Sequence, residues 1–434
     1  MRPACIVLCT SLLGAAEGGM EDDGRIPYGL RPDGIDNPAR WRYVPDNRLI
    51  GGPFWDRMFV SAFPVPIVSF DEATGAGLGV GFVDIEPAST RRRHALGVFA
   101  LRTSGGLETY RGFYRTKLAH AEVPGGVIYE ERSTLTFRGG YQRNPVRRFF
   151  GFGAGTTADD ETSYTDEVAD AAAVLKHGVP TADGDLTADI SLEASHRNLA
   201  PGIQEGVPST TDSHTELTSA SDGINILWIG AGVRWDVRDS ESSPYHGGTV
   251  AFDVDLAPLA SERRTGGIAT LSGVFVQALP APFHDSGAAG LAIRGAEENP
   301  PTDTLAFGGF IKSAWGDLPF QELPALGGSD TLRGYLADRF TDQAAWHAAA
   351  EWRLWVVPRG VRLSDKVRIQ RIGLAPFVDV GSVADKLANL ATSDIRHSVG
   401  LGIRFMWERD LIFRLDVARS PDQIGTNFEF GYSF

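Results

Sequence analysis

The chain has 434 residues, a formal net charge of -14 and 42% hydrophobic residues, and its mean hydropathy is -0.12. These values exclude a helical membrane protein, because no stretch after the N-terminus approaches the roughly 20 apolar residues that a spanning helix needs. They also argue against a nucleic-acid-binding protein, because phosphate contacts need concentrated lysine and arginine and this acidic chain has no basic cluster.

The N-terminal residues have the features of a secretory signal peptide. Residues 1–16 contain Arg2, then an apolar run, then small residues typical of a cleavage site. The alternative interpretation is a slightly apolar N-terminal arm. Cys5 and Cys9 are the two cysteines of the chain and both lie in this segment, so the processed chain would have no disulfide. Residues 17–57 are polar and interrupted by prolines, which predicts an extended periplasmic segment.

Residues 58–434 alternate between apolar and polar or small side chains with a period of two, which predicts β-strands. In the segment SVGLGIRFMW, for example, one face carries Val399, Leu401, Ile403, Phe405 and Trp407, and the other carries Gly400, Gly402, Arg404 and Met406. The segments are about 9 to 15 residues long, which is typical of tilted membrane strands rather than of strands in soluble proteins. Trp228, Trp352 and Trp407 lie near or within the apolar rows, as expected at the interfacial zone of a membrane barrel.

Turn signals divide this region into about sixteen strands. We predict an all-β fold, a closed transmembrane antiparallel β-barrel, because unpaired sheet edges cannot be satisfied in hydrocarbon. The long connections are predicted to follow odd-numbered strands and the short ones even-numbered strands, as in outer-membrane barrels. The predicted spans are 58–70, 76–86, 94–104, 107–119, 127–141, 162–178, 186–200, 225–240, 247–260, 269–282, 287–299, 344–358, 368–383, 395–407, 411–420 and 426–434.

An arginine between Leu332 and Gly334, Arg333, lies in the long connection predicted after the eleventh strand, residues 300–343, within the segment LGGSDTLRGYLADRFTD. The alternation of the next two predicted strands places Glu351 and Asp379 on the inner face of the barrel. A buried arginine needs partners for its charge and its donors. If the loop folds into the lumen, these two carboxylates are the candidate partners, and the loop becomes a tether inside the barrel. The alternative is a surface arginine in a turn.

The two residues after the arginine complete the predicted tether. Gly334 would let the backbone bend at the contact, and Tyr335 would pack beside the guanidinium as a cation–π partner. His347 lies four residues before Glu351, which would suggest a metal pair on a helix, but on a strand the two merely share the lumen side and a third ligand is not evident. We therefore predict no metal and no cofactor. We also predict no enzymatic activity, since the sequence has no nucleophile elbow.

The segment TLRGYLADRF resembles the arginine–glycine–aromatic motif in the sixth extracellular loop of the BamA/TamA outer-membrane assembly family, whose barrel belongs to the bacterial surface antigen domain. The segments PVPIVSFDEATGAGLGVG, RFFGFGAGTTADDETSY and VRWDVRDSESSPYHGG are similar to other parts of that barrel, and Phe434 resembles its terminal signal. The resemblance implies that the loop folds into a sixteen-stranded barrel. By the resemblance, Arg333 then contacts inward acidic residues, with Asp379 as a partner and Glu351 as a further one.

The resemblance also implies a place in the bacterial outer membrane and a non-enzymatic role in the insertion or translocation of proteins, through a weakly paired seam between the first and last strands. The implied partners are outer-membrane lipid, lipopolysaccharide and client outer-membrane proteins. Residues 17–57 are too few for a soluble POTRA module, so we expect a barrel that lacks these modules. The alternative is a channel or structural barrel with passive solute passage, in which lumen charges such as Arg404 and Asp416 would set selectivity.

Overall fold

Sixteen antiparallel strands close into one barrel, and this confirms the predicted fold. The structure is a computed structural model that describes residues 41–45, 53, 62–71, 74–84, 94–123, 126–130, 132–181, 184–218, 223–239, 243–261, 265–284, 301–358, 360–362, 368–407 and 411–434. None of the helices in these ranges is long and apolar enough to span a membrane. The predicted signal peptide and most of residues 17–57 lie outside the described residues.

The barrel strands are numbered here in chain order. They are β1 (Ala62–Asp71), β2 (Gly75–Asp84), β3 (His94–Thr103), β4 (Glu108–Lys117), β5 (Thr134–Phe149), β6 (Thr162–Thr181), β7 (Gly184–Pro201), β8 (Ile224–Asp236), β9 (Gly247–Ala260), β10 (Gly266–Leu279), β11 (Asp303–Gly316), β12 (Ala344–Val357), β13 (Arg368–Ala384), β14 (Arg396–Trp407), β15 (Leu411–Arg419) and β16 (Ile424–Phe430).

The outer face carries an apolar band. In β7 the outward side chains include Leu186, Ile190 and Leu192, and in register with them on β8 are Trp235, Ala231 and Ile229. From Leu186 to His196 the strand rises about 33 Å, which at a tilt of about 40° corresponds to a band about 25 Å tall. A band of this height is typical of the lipid-facing wall of transmembrane barrels.

The tryptophans predicted to lie near the apolar outer rows differ in position. Trp352 is exposed on the outer face of β12, but Trp228 is buried on the inner side of β8. It packs there in a cluster with Ile226, Ala257 and Leu318. The inner row of β8 is apolar at this point because the start of the loop after β11, including Leu318, covers it. The side chain of Trp407 lies outside the described residues.

The fifth barrel strand is displaced from its predicted span of 127–141. Gly126–Glu130 instead forms the central strand of a separate three-stranded sheet, between Trp41–Pro45 and His120–Val123. All five residues of this central strand are buried. The apolar pattern of GVIYE is therefore real, but it belongs to a small sheet between β4 and β5 and not to the barrel wall.

The eleventh barrel strand is also displaced. The predicted span 287–299 lies outside the described residues, and β11 pairs with β10 and β12 along the barrel wall. Its segment DTLAFGGFIKSAWG does alternate, with Phe307, Ile311 and Trp315 exposed on the outer face. The glycine pair Gly308 and Gly309 interrupts this alternation in the sequence, since a glycine in a strand contributes no side chain to the pattern.

The connections after odd-numbered strands define the upper end of the barrel, and the others define the lower end. The longest at the upper end is residues 317–343, which join β11 to β12 and are called loop 6. At the lower end the connection between β4 and β5, residues 118–133, is not short, because it carries the small sheet. The connection between β10 and β11, residues 280–302, is not short either. The predicted contrast between long and short connections is therefore wrong at these two places.

The seam between the first and last strands is the weakest pairing in the barrel wall. β15 and β16 pair along seven positions, whereas β16 and β1 pair at only one, Phe428 with Phe70. β16 ends at Phe430, and Gly431 follows with a φ of 81°. In the same antiparallel register Phe430 would oppose Val68. Within the described strands, β16 therefore provides no strand residue opposite the first six residues of β1.

Candidate functional site

Loop 6 enters the barrel through a compact sequence of turns. Gly327 and Gly328 have φ values of 116° and 102°, which favour glycine, and Leu332 has a φ of 46°. The backbone N–H of Gly327 donates to the Thr331 hydroxyl over 2.9 Å, and the N–H of Tyr335 donates to the carbonyl of Leu332 over 2.8 Å. These turns place residue 333 at the inner tip of the loop.

The structure brings Arg333 and Asp379 together in a two-pronged contact. Nε donates to Oδ2 and Nη2 donates to Oδ1, each over 2.9 Å, and the backbone N–H of Arg333 donates to Oδ2 over 3.0 Å. Both side chains are fully buried. This geometry uses the planar fork of the guanidinium, which a lysine could not reproduce.

The third nitrogen of the guanidinium reaches two further carboxylates. Nη1 of Arg333 lies 2.9 Å from Oε2 of Glu351 on β12 and 3.3 Å from Oδ2 of Asp416 on β15. One loop side chain therefore contacts three barrel strands, because Asp379 lies on β13. The sequence indicates Asp416 only as a lumen charge, and the signal that marks it as a partner is its inward position two strands beyond Asp379.

The carboxylates are shared with arginines of the barrel wall. Arg404 donates to Glu351 over 2.7 Å and to Asp416 over 2.5 Å, and Arg353 donates to Glu351 over 3.0 Å. Arg414 contacts Asp416 at 3.4 Å, and it also contacts a loop 6 carboxylate at 2.6 Å, that of Asp330. The resulting cluster, called the lumen network, contains four arginines and four carboxylates: Arg333, Arg353, Arg404, Arg414, Asp330, Glu351, Asp379 and Asp416.

The balance of charge holds Arg333 in its ionised form. Burial alone would lower the pKa of the guanidinium, because it disfavours the charged state. The hydrogen bonds and charge of Asp379, with the charges of Glu351 and Asp416, outweigh burial, so the pKa of Arg333 is raised above its ordinary value. Removal of the arginine would leave the buried carboxylate of Asp379 without its charged partner, which is costly away from water.

The aromatic partner of Arg333 is Phe377, not Tyr335 as predicted. The carbon Cζ of the guanidinium lies 3.3 Å from the centre of the Phe377 ring on β13. The ring of Tyr335 instead meets Phe340 edge to face at 5.1 Å, in an apolar cluster that includes Leu326 and Val383. Tyr335 therefore holds the loop by apolar packing. Phe377, two positions before Asp379 on β13, provides the aromatic ring that the guanidinium contacts.

Gly334 permits a close approach of two backbones, whereas the sequence predicted a bend. A Cβ at this position would lie 2.8 Å from the carbonyl carbon of Arg419 and 2.8 Å from the nitrogen of Ser420. The unusual backbone conformation lies two residues earlier, at Leu332. Loop 6 thus rests directly on the hairpin between β15 and β16, and only glycine leaves room for that contact.

We expect Gly334→Ala to loosen loop 6, because its methyl group would meet backbone atoms that cannot rotate away. The unfolding midpoint in urea should fall by an amount equivalent to about 1–3 kcal/mol. Gly155→Ala is the matched control, since a Cβ there meets no atom within 4 Å and its φ is not positive. Equal midpoints for the two variants would show that the close approach does not hold the loop.

A second anchor attaches loop 6 to the opposite wall. Arg147 on β5 donates to Asp338 of the loop over 3.0 Å and to Asp166 on β6 over 2.7 Å. Arg197 on β7 donates to the same Asp166 over 2.6 Å and to Glu322 of the loop over 2.9 Å. The sequence did not reveal this set. Alternation would have placed Asp166 on the inner face, but nothing in the sequence indicates how the loop crosses the lumen.

Arg339 provides a third anchor between loop 6 and other connections at the upper end. It donates to Asp422, between β15 and β16, over 2.7 Å. It also donates to the hydroxyl and to the carbonyl of Thr156, each over 2.9 Å, in the connection between β5 and β6. Together the three anchors join the loop to β5–β7 on one side and to β12–β16 on the other.

Phe434 does not extend β16 as the sequence predicted. After Gly431 the chain turns into the lumen, where Cζ of Arg353 lies 3.5 Å from the centre of the Tyr432 ring. The Phe434 ring packs on Gly308, where an added Cβ would collide with ring atoms. Nη2 of Arg353 donates to the carbonyl of Phe434 over 3.4 Å. The alternation of apolar residues continues in the sequence to Phe434. In the structure the strand ends at Phe430, because Gly431 has a positive φ and redirects the chain.

The comparisons with known proteins show the fold. The chain is similar to the crystal structure of BamA from Haemophilus ducreyi lacking POTRA domains 1-3, with a TM-score of 0.55 and 13% identity, over 86% of this chain and 70% of that chain. It is also similar to CdiB from Escherichia coli, with a TM-score of 0.55 and 11% identity, over 90% of this chain and 66% of that chain. CdiB from Acinetobacter baumannii gives a TM-score of 0.50 and 11% identity, over 85% and 59%.

The similarity to these structures concerns the fold alone. No protein-family model and no curated protein sequence matches the chain. The chain spans less than two thirds of the length of either CdiB. At identities of 11–13% the shared property is the fold, a closed antiparallel barrel. Within the described residues, no group of three or more histidine, cysteine, aspartate or glutamate side chains is arranged to hold a metal ion.

Proposed function

We propose that this chain is a bacterial outer-membrane barrel that assists the insertion or secretion of other proteins, and that it acts at the seam between β1 and β16. Three features support the proposal. The outer wall carries an apolar band of membrane height, the loop 6 motif resembles that of the BamA/TamA assembly family, and the fold is similar to BamA and CdiB. The single β-bridge across the seam is the observation that carries the mechanism.

The seam can provide backbone hydrogen-bond partners, which an incoming strand does not find in the hydrocarbon of a membrane. Backbone groups at a sheet edge need hydrogen-bond partners, and hydrocarbon provides none. Along Ala62 to Ile67 the edge of β1 faces no strand residue of β16, so an incoming strand can pair there by β-augmentation. Among the described residues, opening the seam further breaks one strand pair, Phe70–Phe428. The barrel wall elsewhere pairs along many positions and stays closed.

Loop 6 holds the β15–β16 side of the seam in place. Arg333 contacts Asp416 on β15, and its carbonyl accepts from Asn427 on β16 over 3.3 Å. Gly334 rests on the turn that follows β15, and Arg339 holds Asp422 in the same turn. The last hairpin is therefore braced from inside the lumen. In this mechanism β1 is the mobile side of the seam, and loop 6 keeps the barrel shape while the seam opens.

A passive channel is the second candidate, and the lumen charges favour it. Basic residues on β4 and β5 pair with acidic residues on β6 and β7, among them Arg111 with Asp170 and Arg138 with Glu193. Such charges could select ions by sign. Loop 6 opposes this interpretation, because its anchors on both walls place it across the path of a solute. A steady single-channel conductance in a planar bilayer would support the channel.

The assembly proposal predicts that the barrel alone accelerates membrane insertion. We expect a small, unrelated outer-membrane barrel to fold faster into liposomes that contain this protein than into liposomes of the same lipid without it. Folding is read from the shift in gel mobility of unheated samples. The matched control is a liposome that contains a different sixteen-stranded barrel with a fully paired seam. Equal rates in all three preparations would exclude catalysis by the barrel alone.

A further inference from the structure

Three connections meet around a cleft at the upper end of the barrel. The last part of loop 6 contributes Asp342, and the connection between β5 and β6 contributes Gly153. The end of β13 and the connection from β13 to β14, residues 385–395, form the remaining side. We call this space the upper cleft. It has a volume of about 520 Å³, and its polar lining consists of Asp342, Asp385, Asn389, Thr392 and Ser393.

Asp342 places a buried carboxylate in the upper cleft. The residue is 8% exposed, and its Oδ1 accepts from the backbone N–H of Gln343 over 2.8 Å. Its Oδ2 lies on the side of Gly153, where an added Cβ would be 3.8 Å away, and no described residue donates a hydrogen bond to it. A carboxylate oxygen that has left bulk water without gaining a donor is costly, so this atom calls for a partner from outside the chain.

The charge of Asp342 has no counter-charge on the chain. Among the described residues that line the upper cleft, none is a lysine, an arginine or a histidine. Burial raises the pKa of the Asp342 carboxyl, the N–H of Gln343 lowers it, and the charge of Asp385 raises it again. Loop 6 treats its other inward carboxylates differently, because each of these has an arginine partner: Glu322, Asp330 and Asp338.

The other polar side chains of the upper cleft use their donors within the protein. Nδ2 of Asn389 donates to Oδ1 of Asp385 over 2.6 Å. The Ser393 hydroxyl donates to the carbonyl of Val383 over 2.6 Å, and the Thr392 hydroxyl donates to the carbonyl of Asn389 over 3.1 Å. These side chains therefore offer the cleft oxygen acceptors and two carboxylates. A ligand that fits this set is a cation.

We propose that the upper cleft binds a calcium ion between the carboxylates of Asp342 and Asp385. Calcium takes six to eight oxygen ligands in flexible geometry, and it accepts amide and water oxygens beside carboxylates. The amide oxygen of Asn389, hydroxyl oxygens and water would complete its shell. Transition metals prefer imidazole or thiolate ligands, which the described lining lacks. The ion would join the end of loop 6 to the connection between β13 and β14, and the proposal does not depend on activity at the seam.

The test measures binding of radioactive calcium by equilibrium dialysis. The full-length barrel is folded, freed of metal with a chelator, and placed in nanodiscs of dioleoylphosphatidylcholine, which leave both ends accessible and carry no net lipid charge. We expect one ion per barrel with a dissociation constant of roughly 10⁻⁴–10⁻³ M, the range of extracellular calcium sites with few charged ligands. Magnesium should compete at least about tenfold more weakly, because it demands a rigid octahedral shell.

Asp342→Asn removes the charge and keeps the shape of the side chain. Calcium binding should weaken at least about tenfold, and calcium should raise the urea midpoint of the wild type but not of this variant. Without calcium the variant should unfold at the wild-type midpoint or above it, because an uncompensated buried charge is gone. Asp394→Asn is the matched control. Asp394 lies in the same connection, but its side chain is 74% exposed, 3.8 Å from Arg396 and outside the cleft.

The outcomes decide the proposal in each case. Binding that weakens in Asp342→Asn and persists in Asp394→Asn supports the site. Asp385→Asn is a second variant on the exposed side of the cleft, and it should weaken binding even if Asp342→Asn folds poorly. Absence of bound calcium at about 10 mM, ten times the weak end of the expected range, overturns the site. Equal binding in all variants also overturns it, and equal affinity for magnesium overturns the assignment to calcium.

Discussion

Arg333→Ala is expected to destabilise the folded barrel by about 3–5 kcal/mol, the usual cost of leaving a buried charge without its partner. The affected carboxylate is chiefly that of Asp379, which is fully buried and receives two side-chain hydrogen bonds from the arginine. Among the described residues its other polar neighbours are weaker, with the Ser398 hydroxyl at 3.4 Å and the His347 ring nitrogen at 4.0 Å. Two measurements report the loss of stability: the urea concentration at the midpoint of unfolding, and the temperature at which the gel mobility of the folded barrel changes.

Two double variants show whether the effect comes from charge balance. Arg333→Ala with Asp379→Ala removes the uncompensated carboxylate, so it should recover part of the loss. Arg333→Ala with Glu351→Ala should not recover stability, because Glu351 also pairs with Arg353 and Arg404. Its removal would take a carboxylate partner from each of these two buried cations. A charge swap of Arg333 with Asp379 should also fail, since it would place a carboxylate beside Glu351 and Asp416. Wild-type stability of Arg333→Ala would exclude the tether.

Asp166→Asn is expected to release loop 6 from the other wall. One oxygen of Asp166 accepts from Arg147 and from Arg197, and these arginines are the residues that hold Asp338 and Glu322 of the loop. An asparagine carries no charge to keep the two guanidinium groups together, so we expect a loss of about 2–4 kcal/mol in unfolding free energy. Loop 6 should also become sensitive to protease added from the upper side of the membrane.

Glu167→Gln is the matched control for this variant. Glu167 is the next residue on β6 and pairs with Arg143 at 3.0 Å, but both partners are about one-third exposed. A solvent-exposed pair contributes roughly 0–1 kcal/mol. The control should therefore unfold with the wild-type midpoint and resist protease. If Asp166→Asn behaved in the same way, the second anchor would have no role in holding the loop.

The sequence was sufficient to place strands β12 to β15. In β12 to β15 the alternation places Glu351, Asp379, Arg404 and Asp416 on the inner face, and all four are buried there. The period of a strand is two, so a residue that opposes an apolar row must point the other way. An inward carboxylate on a membrane barrel then needs a cation, which is why the sequence alone connects Arg333 to Glu351 and Asp379.

The same alternation fails where the chain leaves the barrel wall. GVIYE is a short apolar run that fits the start of a barrel strand, but it pairs with Trp41–Pro45 in a separate sheet, and pairing between distant segments leaves no local signal. The row Phe428, Phe430, Tyr432 and Phe434 continues in the sequence past the end of β16, while the positive φ of Gly431 ends it in space. The partners of loop 6 on β5 to β7 were missed for a related reason, because the path of a long loop depends on contacts across the lumen.

The central claim is that the seam between β1 and β16 opens during activity, and a reversible lock across it tests that claim most directly. Phe70→Cys with Phe428→Cys, in a chain whose Cys5 and Cys9 are replaced by serine, places two cysteines at the one paired position of the seam. Cross-strand neighbours lie within the range that a disulfide can bridge. The control pair, Leu415→Cys with Phe428→Cys, forms the same bond inside the fully paired hairpin of β15 and β16.

The measurement is the rate at which a small outer-membrane barrel folds into liposomes that contain each oxidised variant, before and after addition of a reductant. The mechanism predicts that the lock at Phe70 and Phe428 abolishes the acceleration and that reduction restores it, while the control pair accelerates folding in both states. Full acceleration by the oxidised seam variant would contradict the mechanism, because insertion would then proceed with the seam closed.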